Sequence, residues 1–249
     1  MIIIKTPEEI ELMRKSGEIT RDVLALVGEN VKEGVSTYEL DKLAYNYIVS
    51  CGAKPSFKGY GGFPGSICTS IDEVVVHGIP SKTEILNEGQ IISIDAGAIL
   101  NGYHSDAART FAVGKISKEK AQLVKVTEES FFRGIENLKV GNRLGDVSHA
   151  IQEYCESFGY GVVRDLVGHG VGRDLHEDPN VPNYGRAGHG LRLREGMTIA
   201  IEPMITLGTY KVYCDSDDGW TIRTEDNSPC AHYENTVALT ENGIKILTL

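Results

Sequence analysis

The chain has 249 residues, enough for one large domain or two modest ones with a substantial core. Its composition, 41 % hydrophobic and 24 % charged, is that of an ordinary globular protein. A net charge of −10 argues against nucleic acid as the main partner, because phosphate binding needs a basic face. The first element is a helix in "TPEEIELMRKSGEITRDVLALVGENV". Thr6 caps it, Pro7 suits its first position and Glu9 completes a capping box. Ile10, Met13, Ile19 and Val23 recur along it at helical spacing. A second helix, "STYELDKLAYNYIVSCGA", is capped by Ser36 or Thr37 and stops near Gly52. Glycine and proline punctuate "YGGFPGSICTSIDEVVVHGIP" into loop and short strand. "GQIISIDAGAILNGYHSDAARTFAVG" is a strand pair turning at Asn101-Gly102, a strong hairpin signal. Two more helices follow in "SKEKAQLVKVTEESFFRGIENLKV" and "LGDVSHAIQEYCESFGY". "LVGHGVGRDLHEDPNVPNYG" reads as loop, and "REGMTIAIEPMITLG" and "HYENTVALTENGIKILTL" read as strands.

The five cysteines are odd in number and none stands at C-x-x-C spacing. A disulfide framework is therefore not expected, and a reducing cytoplasm is. The N-terminal "MIIIKTPEEI" lacks the length of a signal h-region. No stretch approaches the ~20 apolar residues that span a bilayer.

The order helix, helix, strand occurs twice. At an offset of 107 residues Gly34 matches Gly141, Gly52 matches Gly159 and Glu88-Gly89 matches Glu195-Gly196. At the same offset Asp95 falls on Glu202, "EGQIISID" against "EGMTIAIE". One offset held over such a span predicts an internal duplication, with halves of roughly 1–115 and 116–249 inside a single domain of 1–249. A related acid on each inner strand predicts a shared central site.

Asp95 and Asp106 lie in apolar strand sequence, where aspartate is disfavoured and a buried charge is costly unless paired or bound to a metal. With Asn101-Gly102 at the turn, Asp106 faces Gly97 and Asp95 is its diagonal neighbour on the same face. Two carboxylates there repel, so one is driven neutral or a cation lies between them. Glu202 in "IAIEP" and Glu234 in "HYENTVAL" bring the local charge to −4, which two divalent cations balance. Any one of these acids alone reads as a surface or salt-bridge residue. Four in strand-like sequence read as a two-metal hydrolytic site, and carboxylates with an imidazole suit Mn, Fe, Co or Zn. His77, His169 and His189 sit beside glycine, and His176 follows His169 by seven residues. Spacing does not say which imidazole binds metal and which holds substrate or moves a proton. His104, His149, His189 and His232 read as structural or exposed.

Together, "HGIP", "DAGAILNGYHSDAARTF", "GHGVGRDLHEDP", "AIEP" and "YENT" resemble the bacterial-type, type I methionine aminopeptidases, over essentially the whole chain. The resemblance implies an α+β, pita-bread fold: a curved antiparallel sheet with pseudo-twofold halves and outer helices. It implies metal ligands at Asp95, Asp106, His169, Glu202 and Glu234. Asp106 and Glu234 would bridge two cations, with Asp95 on one and His169 and Glu202 on the other. It implies catalytic and substrate-contacting roles for His77 and His176, with Glu202 as proton acceptor. Tyr60, Phe63, Cys68 and Trp220 fall at methionine-pocket positions. Phe57 stands where a cysteine is common and Leu175 where a phenylalanine is common, which puts pocket shape, not chemistry, in question. The implied activity is removal of N-terminal methionine from nascent chains when the second residue is small. The implied protein is a cytoplasmic monomer with two divalent ions (Co, Mn, Fe or Zn), and contact with the ribosome is a further partner expectation.

The same fold serves creatinase, prolidase, aminopeptidase P and metal-free binding proteins, so fold alone does not settle function. The full ligand set separates this chain from creatinase-like and binding-only members. Only 25 residues separate His176 from Glu202, which leaves no room for a type II helical insertion. The motifs begin early in the chain, so neither a large preceding domain nor a zinc-binding N-terminal extension is expected. A broad dipeptidase is the alternative enzyme. A ribosome-associated scaffold using Arg186, Arg192 and Arg194 is the alternative non-enzyme.

Overall fold

The computed structural model describes residues 1–249. Helix α1 spans Pro7–Glu29, and its capping box is formed as the sequence predicts. The Glu9 N–H donates to Thr6 Oγ1 at 3.3 Å, and the Thr6 N–H donates to Glu9 Oε2 at 3.0 Å. Helix α2 (Thr37–Ser50) starts on the same device, built from Ser36 and Glu39. Gly52 ends it at a φ of 74°, the left-handed region glycine enters without steric cost. Helices α3 (Lys118–Ile135) and α4 (Leu144–Glu156) repeat the pair in the second half.

The antiparallel ladders divide into four sheets. In the first, strand Ile91–Leu100 pairs with Tyr103–Ala112 on one side and with Lys54–Pro55 and Ile67–Ile71 on the other. Asn101 and Gly102 take φ values of 52° and 79°, so the turn is the two-residue, positive-φ kind that follows the strands' twist. The five-stranded sheet orders Gly243–Ile246, Asn235–Thr240, Thr198–Ile201, Gly168–Gly170 and Glu177–Val181. The "GHG" and "HEDPNV" segments, read as loop, thus supply two of its strands. Residues 207–232 carry three short strands without a legible pattern: Val212–Cys214, Ile222–Thr224 and Cys230–His232.

Each helix pair packs mainly on strands of its own half, and Ile10 and Met13 of α1 also reach Ala200 and Ala238 of the five-stranded sheet. Val23, Leu40 and Ile48 bury against Ile92, Ile94 and Ala107. Phe131, Val147 and Ile151 bury against Ile199, Ile201 and Val237. Each fully buried aliphatic side chain contributes about 1.5–3 kcal/mol. The 107-residue offset reappears in the backbone. The Gly34 N–H donates to Leu86 O at 2.9 Å, and the Gly141 N–H donates to Leu193 O at 3.0 Å. Isolated bridges join Ser36 to Ile85 and, 107 residues on, Arg143 to Arg192.

The halves meet through the main chain. Ala108 and Glu234 exchange N–H···O bonds of 3.3 and 3.0 Å. Thr236 Oγ1 accepts from the Asp106 N–H at 2.9 Å and donates to Asp106 O at 2.8 Å. Asp106 of the first half is thereby set beside Glu234 of the second.

Candidate metal centre and active site

Register places the first two acids. Gly97 pairs with Asp106 and Asp95 with Ala108, so Asp95 and Asp106 are the diagonal neighbours the hairpin predicts. Glu202 and Glu234 lie not inside strands but in a gap between them. Asn235 pairs with Ile201, and Met204 pairs with His232. Between these ladders stand Glu202-Pro203 and Tyr233-Glu234. Pro203 has no N–H to donate, so the ladder breaks there and turns both glutamates inward. Arg109 fixes this corner from behind, donating to Glu234 O at 2.5 Å and to Asn235 Oδ1 at 2.7 Å. His169 projects from the middle of the Gly168–Gly170 strand.

Every residue given a role by the resemblance lines one cavity of about 190 Å³. Asp95, Asp106, His169, Glu202 and Glu234 form one wall, with His77, His176, Tyr60, Phe63, Cys68 and Trp220 around them. Phe57 and Leu175 complete the lining. Phe63 meets Trp220 edge to face at 5.3 Å between centroids. His176 stacks on Tyr60 at 5.2 Å, its Nδ1 is 2.9 Å from Tyr60 Oη, and its ring lies 4.0 Å from that of His169. His77 carries a φ of 60°, a strained conformation of the kind that gathers at functional sites.

The loop bearing His176 is clamped by a buried ion pair of Lys5 and Glu177, whose side chains are 2 % and 3 % exposed. Glu177 Oε1 also accepts from the Arg173 N–H at 2.9 Å. Removing one partner strands the other charge. Lys5→Met is therefore expected to cost about 3–5 kcal/mol of stability, read from the denaturant midpoint. A loss within about 0.5 kcal/mol would contradict that.

The electrostatics are those of a cation site. Burial, reinforced by the Asp95 and Glu202 charges, pushes Asp106 well above the usual carboxylate range. Burial, then the neighbouring acids, does the same to Glu234. Burial lifts Asp95 to about 7, and burial with the Asp95 charge lifts Glu202 to about 8. Burial lowers His169 to about 3, which keeps its imidazole neutral and able to ligate. Asp95 Oδ1, Asp106 Oδ1 and Glu234 Oε1 are buried without any hydrogen-bond partner. Two donor groups close within 4.8 Å: Asp106, His169 and Glu234, and Asp95, His232 and Glu234. Orphaned carboxylate oxygens converging with imidazole nitrogens fit divalent first-row cations.

The sign of the pH dependence follows. In the metal-free protein these carboxyls keep protons that the unfolded chain loses near 3.8 and 4.5. Where the native state holds more protons, stability falls as pH rises. The metal-free melting temperature is expected to drop between pH about 5 and about 8, and cation affinity to rise as protons are displaced. A flat or rising melting series across that window would contradict this.

Cys68 is buried, and burial with the Asp95, Asp106 and Glu234 charges holds its thiol well above normal. Iodoacetamide at neutral pH is expected to label the exposed Cys51 and Cys214 and leave Cys68 unmodified, as peptide mass spectrometry would show. Cys68 labelled as fast as Cys51 would refute the expectation.

His104 is half-buried beside Ser56, and His189 is exposed, as read from sequence. His232 is not a surface residue. It is 2 % exposed, and its Nε2 faces Glu202 and Glu234. One signal could have found it: in a strand, residues i and i+2 share a face, so His232 and Glu234 belong together.

With this geometry in hand, comparison with known proteins is direct. Residues 11–241 match the model of metallopeptidase family M24. A methionine aminopeptidase of Clostridium acetobutylicum is 62 % identical over 249 residues, all of this chain and 99 % of the relative. The crystal structure of methionine aminopeptidase from Thermotoga maritima superposes with a TM-score of 0.97 at 48 % identity, covering 100 % of this chain and 99 % of that one. Prolidase from Pyrococcus furiosus shares the fold at a TM-score of 0.80 and 29 % identity, and 99 % of this chain covers 65 % of it. The chain therefore belongs to metallopeptidase family M24, and within it to the methionine aminopeptidases. Its fold is the pita-bread fold of that family, with helices outside antiparallel sheets. No helix is long and apolar enough to cross a membrane.

Proposed function

We propose that this chain removes the N-terminal methionine from nascent polypeptides when the second residue is small, acting as a cytoplasmic monomer. The observation that carries this is the meeting, in one cavity, of a buried carboxylate–imidazole cluster with an apolar, aromatic wall. Asp95, Asp106, His169, Glu202 and Glu234 would hold two divalent ions, drawn from Co, Mn, Fe or Zn. When bound, such ions supply Lewis acidity to the first peptide carbonyl and bring the pKa of water toward neutrality.

The remaining work falls to side chains. Glu202 takes a proton from the attacking water as the C–O bond forms, and passes it to the amine as the C–N bond breaks. Tyr60 holds His176 through Nδ1, leaving Nε2 for the carbonyl oxygen as negative charge develops there. His77, kept neutral by burial and by the neighbouring His176, orients the peptide from the rim beside Trp220. The methionine side chain packs on Phe57, Phe63, Cys68, Leu175 and Trp220, where shape and desolvation select a thioether. The cavity of about 190 Å³ has room for one side chain beside the acidic cluster.

The duplicated backbone bridges support a single catalytic unit of 1–249 with halves of roughly 1–115 and 116–249. Arg186, Arg192 and Arg194 are exposed and are the basic residues available for a ribosome contact. Elemental analysis of reconstituted protein tests the two-ion site: two divalent ions per chain are expected, and none after reconstitution would overturn it.

A further inference from the structure

His232 lies outside the ligand set carried by the sequence motifs, yet its side chain is built into the centre. It is 2 % exposed, and its Nε2 is buried with no hydrogen-bond partner. That nitrogen is 3.7 Å from Glu234 Oε2 and 3.8 Å from Glu202 Oε2. Both separations are too long for hydrogen bonds. They are what two donors on one first-row cation present: at about 2.1 Å from the ion and about 120° apart, they lie about 3.6 Å from each other.

His169 provides the internal comparison. Its Nε2 is 3.7 Å from Asp106 Oδ2 and 3.8 Å from Glu202 Oε1. Each imidazole thus stands at the same spacing from one further carboxylate, Asp106 for His169 and Glu234 for His232, and from its own oxygen of Glu202. The His232 backbone is pinned for this: its N–H donates to Thr110 Oγ1, and Thr110 Oγ1 donates back to its carbonyl, both at 2.9 Å. Asp95, His232 and Glu234 close within 4.8 Å as one donor group, and Asp106, His169 and Glu234 as the other.

We propose that His232 Nε2 is a sixth protein ligand, on the Asp95 side of the centre, so that each cation position has its own imidazole. This rests on the two-cation reading above. Ligation through Nε2 places the ring proton on Nδ1. A second nitrogen donor also moves the site's preference away from Mn and toward Co, Fe or Zn.

X-ray absorption on protein loaded with two equivalents of Co(II) counts ligated imidazoles. The wild type is expected to show two per chain and His232→Leu one, with affinity for one of the two equivalents falling more than tenfold by calorimetry. His232→Gln tests the alternative of a hydrogen-bonding role, because glutamine can still donate to the glutamates. One imidazole in the wild type, with two ions bound, would overturn the sixth ligand and leave the two-cation reading intact. A wild type that binds no ion would overturn both. The wild-type count decides the matter even if the leucine variant does not fold.

Discussion

Glu234→Gln is expected to lower kcat on a Met-Ala peptide by about 10³-fold, since a lost cation removes several kcal/mol of transition-state stabilisation at 1.36 kcal/mol per decade. Glu234 is 2 % exposed and belongs to both donor groups, so no neighbour can replace it. Glutamine keeps the shape but brings no charge and one fewer acceptor oxygen. A second readout separates this from misfolding. Without metal, the variant is expected to melt above the metal-free wild type, because one of four crowded acids is gone. Added cation should raise the wild-type melting temperature by mass action and barely move the variant. A variant with near wild-type kcat would place the chemistry elsewhere.

His176→Ala is expected to reduce kcat by about 10²-fold while KM stays within a few-fold, the pattern of an interaction made mainly in the transition state. The 2.9 Å contact from His176 Nδ1 to Tyr60 Oη aligns the ring without supplying a charge. Tyr60→Phe should therefore cost only a few-fold, with the same kcat bias. If His176→Ala raised KM and left kcat unchanged, the residue would hold ground-state peptide and have no part in stabilising the oxyanion.

The parts legible in the sequence were those written in local rules. Thr6 and Ser36 with their i+3 glutamates announce α1 and α2. Asn101-Gly102 fixes the hairpin register, and the register alone brings Asp95 and Asp106 to one face. Elsewhere tertiary context decided. Gly168–Gly170 has almost no β-propensity and becomes a strand because Thr198–Ile201 and Glu177–Val181 pair with it on either side. By sequence pattern Glu202 and Glu234 are strand residues, whereas in the fold Pro203 opens a gap that aims them. The short strands of residues 207–232 are too brief for periodicity to show. His232 opens the segment that reads as the last strand, and the strand period relating it to Glu234 is the signal that marks it.

The most direct measurement is release of the first residue from Met-Ala-Ser, Leu-Ala-Ser and Ala-Pro peptides. It would use metal-free protein and protein reconstituted with Mn, Co, Fe or Zn. The account predicts that methionine alone is released, and only when a divalent ion is supplied. Release without metal, or equal release of leucine, would contradict it.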